Sequence, residues 1–183
     1  MPTLARPLAL LALAAAPLTL AAQSNPVELG MDAGLVVQLG EPSRTAFDIP
    51  RQQVRANFFL DRNWSLETRL GYQRSSVENG GSSSQLGVEI GPMFHFGSTT
   101  RFGSRPIPDW YVRPSLLLAS GSVNPENGPR RSDTDVGFAA AIGTRVPLVA
   151  DRLALRLEGQ LGKFADADDG FLALGIGFSF FIR

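Results

Sequence analysis

The sequence predicts an all-β protein, an eight-stranded antiparallel up-and-down transmembrane β-barrel. Three observations predict it. Eight segments alternate apolar and polar residues with a period of two, and each is ten to thirteen residues long. The connections between them alternate between long polar loops and short turns. A period of two gives a strand one apolar face. The length is about twice that of a globular strand and close to the roughly 9 to 11 residues of a tilted membrane-crossing strand.

The first segment, 27–39, places Val27, Leu29, Met31, Ala33, Leu35, Val37 and Leu39 at every odd position. The same pattern recurs at 51–60 (Val54, Ala56, Phe58, Leu60), 64–74 (Trp64, Leu66, Leu70, Tyr72) and 84–96 (Leu86, Val88, Ile90, Phe94, Phe96). It continues at 110–119 (Trp110, Val112, Leu116, Leu118), 135–146 (Val136, Phe138, Ile142, Val146), 152–163 (Leu153, Leu155, Leu157, Leu161) and 171–182 (Leu172, Leu174, Ile176, Phe178, Phe180, Ile182). Connections 40–50, 75–83, 120–134 and 164–170 are polar, rich in Gly, Ser, Asn, Asp and Pro. Asp61-Arg62-Asn63 and Pro147 to Asp151 are short turns. Long loops at one end and short turns at the other suit a barrel in an outer membrane. The fourth connection, 97–109, breaks this alternation. Pro92 and Pro114 flank it within their strands, and each removes a ladder donor, so a bulge or frayed hairpin is expected there.

Residues 1–22 read as a signal peptide: Arg6, the apolar run Leu8 to Ala16, then the small pair Ala21 and Ala22. Pro7 and Pro17 bracket a run too short to cross about 30 Å of hydrocarbon. The barrel domain is then 23–183. The chain contains no Cys, which excludes disulfides and thiolate metal sites. Its 17 Lys plus Arg balance 17 Asp plus Glu. A chain without net charge offers no field for a nucleic-acid partner.

Two readings compete for the apolar face: it meets lipid, or it lines the dry core of a soluble lipocalin-like ligand-binding barrel. The interleaved residues favour lipid. They include Gly30, Gly34, Gly71, Gly91, Gly137, Ala139, Gly143, Ala154, Gly175 and Gly177, small enough for the narrow interior of an eight-stranded barrel. Among them stand five acids, Glu28, Asp32, Glu67, Glu89 and Glu158, and five arginines, Arg55, Arg69, Arg113, Arg145 and Arg156. A solvated sheet face would carry Lys, and the single Lys of the chain is Lys163. Enclosed charges must be paired, and the guanidinium fork binds carboxylates at two points. This set is therefore expected to form a structural ion-pair network in the lumen. With both termini on the periplasmic side, Phe58, Trp64, Phe94, Phe96, Trp110, Phe178 and Phe180 form the inner aromatic girdle. Tyr72 is the main residue for the outer one.

With these features and the ending Gly177-Phe178-Ser179-Phe180-Phe181-Ile182-Arg183, residues 25–183 resemble the small outer-membrane barrels of the OmpA and OmpX type. The resemblance implies an outer-membrane location, lipid and lipopolysaccharide as surroundings, the barrel-assembly machinery as a partner in biogenesis, and a monomer. The terminal Arg183 stands where such barrels end in an aromatic residue.

Little in the chain points to chemistry. Lipid A deacylases among small barrels pair a His with a Ser near the outer leaflet. His95, the single histidine, falls at the periplasmic end, and one His is too few for zinc. Asp166, Asp168 and Asp169 before Gly170 lack the calcium-loop spacing and read as a solvated turn. Arg130 and Arg131 suit lipopolysaccharide phosphates, but Glu126, Asp133 and Asp135 offset them. The Ser82-Ser83-Ser84 run reads as loop. The expected function is a non-enzymatic integral outer-membrane protein with a structural or surface-interaction role, without cofactor, metal or catalytic residues. The alternatives are a narrow pore for small solutes, a lipid-modifying enzyme and the soluble lipocalin-like barrel.

Overall fold

The structure, a computed structural model, describes residues 27–39, 47–48, 53–76, 82–102, 105–124, 131–149 and 152–182. The expected signal peptide, Arg130, Glu126 and the side chain of Arg131 lie outside the described residues. The strands are β1 (Val27–Leu39), β2 (Phe47–Asp48), β3 (Gln53–Phe59), β4 (Trp64–Ser76), β5 (Ser82–Phe102), β6 (Arg105–Asn124), β7 (Arg131–Val149), β8 (Leu153–Phe164) and β9 (Gly170–Ile182). Eight of them follow one another around a ring that closes through β1 and β9. Every pairing is antiparallel, and the closing ladder runs the full length of β1, from Val27↔Ile182 to Leu39↔Gly170. Closure leaves no sheet edge within the hydrocarbon, as a membrane-spanning sheet requires. The two residues of β2 lie in the stretch expected to be loop and pair with Val36 and Val37 of β1.

Three strands are longer than the sequence pattern indicates: β5, β6 and β7 have 21, 20 and 19 residues. At the outer end the ladder continues through Ser75↔Ser83 and Ser84↔Ser122. The hydroxyls of Ser84 and Ser122 are 2.9 Å apart. Small and polar residues occupy both faces of these strand ends, so no apolar alternation marks them. The serine run read as loop is therefore the start of β5.

The fourth connection is also mostly strand, a hairpin paired from Thr99↔Pro108 to Phe102↔Arg105. Pro92 and Pro114 do not fray it. The ladder omits the stretch between Ile90↔Leu116 and Phe94↔Val112, where the two prolines lie, and resumes in the same register. The expected bulge lies at the start of the connection, as a register shift between Phe96 and Thr99. Gly97 there has φ of 86°, the left-handed conformation that glycine adopts without strain and that accompanies a one-residue bulge.

The interior has three layers. Phe59, Ile107, Ala154 and Phe181 fill the periplasmic end. Leu117, Ala139 and Phe171, with Val36, Phe164 and Ala173 against them, fill the outer end. Charged side chains occupy the space between.

Candidate functional site

The ten charged residues of the alternate positions all point into the barrel, where their register determines what each can reach. Long side chains stand opposite small ones: Arg55 faces Gly30, Glu67 faces Gly91, Tyr111 faces Gly143, and Arg156 faces Gly177. A Cβ on Gly30 would overlap the Arg55 guanidinium, and one on Gly143 would overlap the Tyr111 hydroxyl. The glycines supply the volume over which the charged chains extend inward.

Glu28 is one centre of the network. Its Oε1 accepts from Arg55 Nη1 at 2.5 Å and Ser179 Oγ at 2.7 Å. Its Oε2 accepts from Arg145 Nη2 at 2.8 Å and Asn57 Nδ2 at 3.1 Å. Arg55 Nε also donates to both oxygens of Asp32, at 3.0 and 2.9 Å. The second centre is Glu67 with Glu158. Glu67 pairs with Arg156 and accepts from Arg69 Nε at 2.7 Å, while Arg113 Nε lies 3.2 Å away. Glu158 accepts from Arg69 and Arg156, both at 2.6 Å, and from Arg113 Nη2 at 3.0 Å. Glu89 pairs with Arg113 and accepts from Ser115 at 2.6 Å and Gln160 at 2.7 Å. Arg156 Nη1 approaches Glu28 at 3.9 Å and joins the two centres. Such desolvation is tolerable because each carboxylate meets at least one guanidinium.

Tyr111 lies at the junction and was not singled out in the sequence. Its hydroxyl donates to Glu158 at 2.8 Å and accepts from Arg156 Nε at 2.5 Å. Its ring lies under two guanidiniums, Arg156 at 4.4 Å and Arg145 at 4.9 Å, a cation–π arrangement. Asn57, Gln160 and Ser179 escape a reading of the sequence for the same reason: a neutral polar residue on an inward position carries no charge to count.

His95 Nδ1 lies 3.2 Å from Arg145 Nη1, and Nε2 lies 2.6 Å from Ser65 Oγ. A guanidinium only donates, so Nδ1 accepts and Nε2 carries the proton that it gives to Ser65. A base that activates serine needs the reverse, a lone pair on Nε2 and a carboxylate at Nδ1. Both residues are buried, and the Ser65–His95 pair is arranged as a structural hydrogen bond. Asp166, Asp168 and Asp169 stay exposed. Among the described residues, no three His, Cys, Asp or Glu converge on a possible metal position.

On the outer face, Trp64, Phe94, Trp110, Phe178 and Phe180 are exposed at the periplasmic end. Phe96 is half-buried. The centroids of Trp64 and Phe94 are 5.1 Å apart, and those of Phe94 and Phe96 are 6.4 Å apart. Phe58 differs: its parity is outward, but it is only 3% exposed, with Val27 and Leu66 as its register partners on the two sides. It therefore offers almost no ring surface to lipid.

Residues 7–180 match the family described as outer membrane protein beta-barrel domain. Comparison with curated protein sequences gives no match. Similar solved structures include Ail, the attachment invasion locus protein of Yersinia pestis, in complex with the heparin analogue sucrose octasulfate. It has 11% identity, covers 87% of this chain and 100% of that one, and has a TM-score of 0.58. Neisserial surface protein A has 13% identity, covers 84% and 96%, and has a TM-score of 0.57. OprG of Pseudomonas aeruginosa has 8% identity, covers 87% and 96%, and has a TM-score of 0.51. At these identities the likeness is one of fold, and it agrees with the closed ring and the outward apolar face. The chain belongs to the outer membrane protein beta-barrel domain family, and the outer membrane is its location.

Proposed function

We propose that the protein is a non-enzymatic anchor with a structural or surface-interaction role, in which a filled barrel holds an external sheet above the membrane. The observation that carries this reading is the unequal length of the strands. On β6 the outward apolar series runs from Trp110 to Leu118. That span is about 20 Å along the axis at about 3.3 Å per residue and a tilt of about 40°, against an apolar band of about 25 Å. Beyond it β6 continues to Asn124, paired with β5 back to Ser82 and with β7 back to Arg131. The pairing of β7 with β8 begins only at Gly137↔Phe164. The protruding part of β7 therefore presents a strand edge free of β8, a surface that a partner segment can extend by main-chain pairing. Lipopolysaccharide surrounds this sheet in the proposal. The leader 1–22 directs export, the assembly machinery inserts the chain, and the barrel works as a monomer.

A narrow pore is the second reading. A lumen cavity lined by Asp32, Gln53, Arg69, Arg156, Glu158 and Gln160 favours it. The floor of that cavity is the ion-pair network, and eight strands leave an interior that side chains can fill. The purified protein in planar bilayers is expected to give no steady conductance, while Glu89→Ala or Arg55→Ala raises it. Large, stable steps from the unaltered protein would replace the anchor reading with the pore.

A further inference from the structure

The hairpin below β5 and β6 occupies an unusual place for a periplasmic turn. Up to Trp110 the barrel wall is continuous, with Trp110 paired to Phe96 on one side and Thr144 on the other. Below that level β6 leaves β7 and pairs only with β5, across the bulge at Gly97. Ile107 is only 2% exposed, and Pro108 is also buried. Ile107 packs with Phe59 of β3, Ala154 of β8 and Phe181 of β9. None of those strands is next to β6 in the ring, where β3 and β9 stand three places away and β8 two, so the side chain meets all three because the hairpin turns inward beneath the lumen. Thr99 and Arg101 on the other arm remain exposed. A Cβ on Gly97 would stand 3.1 Å from Trp110 Cδ1, so the bend needs both the left-handed backbone and the missing side chain.

The groups directly above this contact are the ones that water would harm most. The Phe59 ring lies 5.2 Å from the His95 ring and 5.9 Å from the Arg145 guanidinium. Arg145 and Glu28 form the lowest ion pair of the network, and His95 holds Ser65. Low dielectric strengthens such pairs, and competing water weakens them. We propose that the β5–β6 hairpin is a periplasmic stopper, with Ile107 as its bung, which closes the lumen from below. The outer end is closed separately by Leu117, Ala139 and Phe171. The stopper is thus independent of the external sheet and its role.

The absence of cysteine allows single reporters. In lipid nanodiscs, Ile107→Cys is expected to react with a charged thiol reagent roughly 100-fold more slowly than Thr99→Cys on the opposite arm, because only local opening exposes it. Ser65→Cys is expected to be protected in the parent barrel and to become reactive when combined with Ile107→Asp, with the heat-dependent gel shift of the folded barrel retained. Equal rates for Ile107→Cys and Thr99→Cys would overturn the proposal. So would a Ser65→Cys whose rate is the same with Ile107 and with Asp at that position. Should Ile107→Asp not fold, the comparison of Ile107→Cys with Thr99→Cys decides the question alone.

Discussion

Glu28 collects two guanidiniums, an amide and a hydroxyl on two oxygens, and among the described residues it is the carboxylate paired with Arg145. Removing the charge of a buried carboxylate leaves its partners desolvated and unpaired, which costs about 3 to 5 kcal/mol. Glu28→Gln is therefore expected to lower the unfolding free energy in lipid vesicles by that amount, read as a lower urea midpoint, and an unchanged midpoint would remove the network from the account of stability. The glycines give a second residue-scale test. Gly143→Ala forces Tyr111 away from Glu158 and Arg156, whereas a Cβ on Gly87 meets nothing within 4 Å. Gly143→Ala is expected to destabilise the barrel and Gly87→Ala to leave it nearly unchanged, as read by the same midpoint. The ten charges were legible because parity and balance point to them. Tyr111 was legible only through its register with Gly143, which sequence spacing does not supply. His95 drew attention as a rare residue, but its tautomer depends on Arg145, fifty residues away.

At the scale of strands, parity assigns one face to lipid and the other to the lumen, and a substitution tests which is which. Val88→Arg on β5, opposite Leu118, and Leu155→Arg on β8, opposite Phe178, place a charge in the apolar band toward its outer and its periplasmic end, where it is expected to cost about 1 to 2 kcal/mol, between the values for the interface and the midplane. Ser115→Arg, on the inward face, disturbs the hydrogen bond to Glu89 and the local charge balance instead. Negligible effects of both lipid-face changes on stability in a bilayer would reverse the assignment of the faces. The membrane-crossing parts of the strands were readable because hydrocarbon demands unbroken alternation. Their extensions were not, since Ser82–Gln85 and Ser120–Ser122 keep the ladder with small and polar residues on both faces and so carry no apolar alternation. The periplasmic hairpin was hidden differently. Pro106 and Pro108 look like loop, although each occupies a position where β6 has lost its β7 neighbour and needs fewer donors. Phe58 has outward parity and yet is buried, which alternation along its own strand does not reveal.

For the whole molecule, ring closure, the apolar outer band and the filled interior belong together. Closure removes edges, the band replaces contact with water, and the paired lumen makes a polar interior tolerable without an aqueous channel. The closed ring of an outer-membrane barrel family carries the protein through the bilayer on its strands. The most direct measurement is fractionation of cells followed by electrophoresis of unboiled and boiled samples. The protein is expected in the outer-membrane fraction, extracted only by detergent, with a mobility that shifts on boiling as the detergent-resistant barrel unfolds. Recovery as a soluble periplasmic monomer with one mobility, carrying a hydrophobic ligand, would contradict the account and turn the apolar face inward.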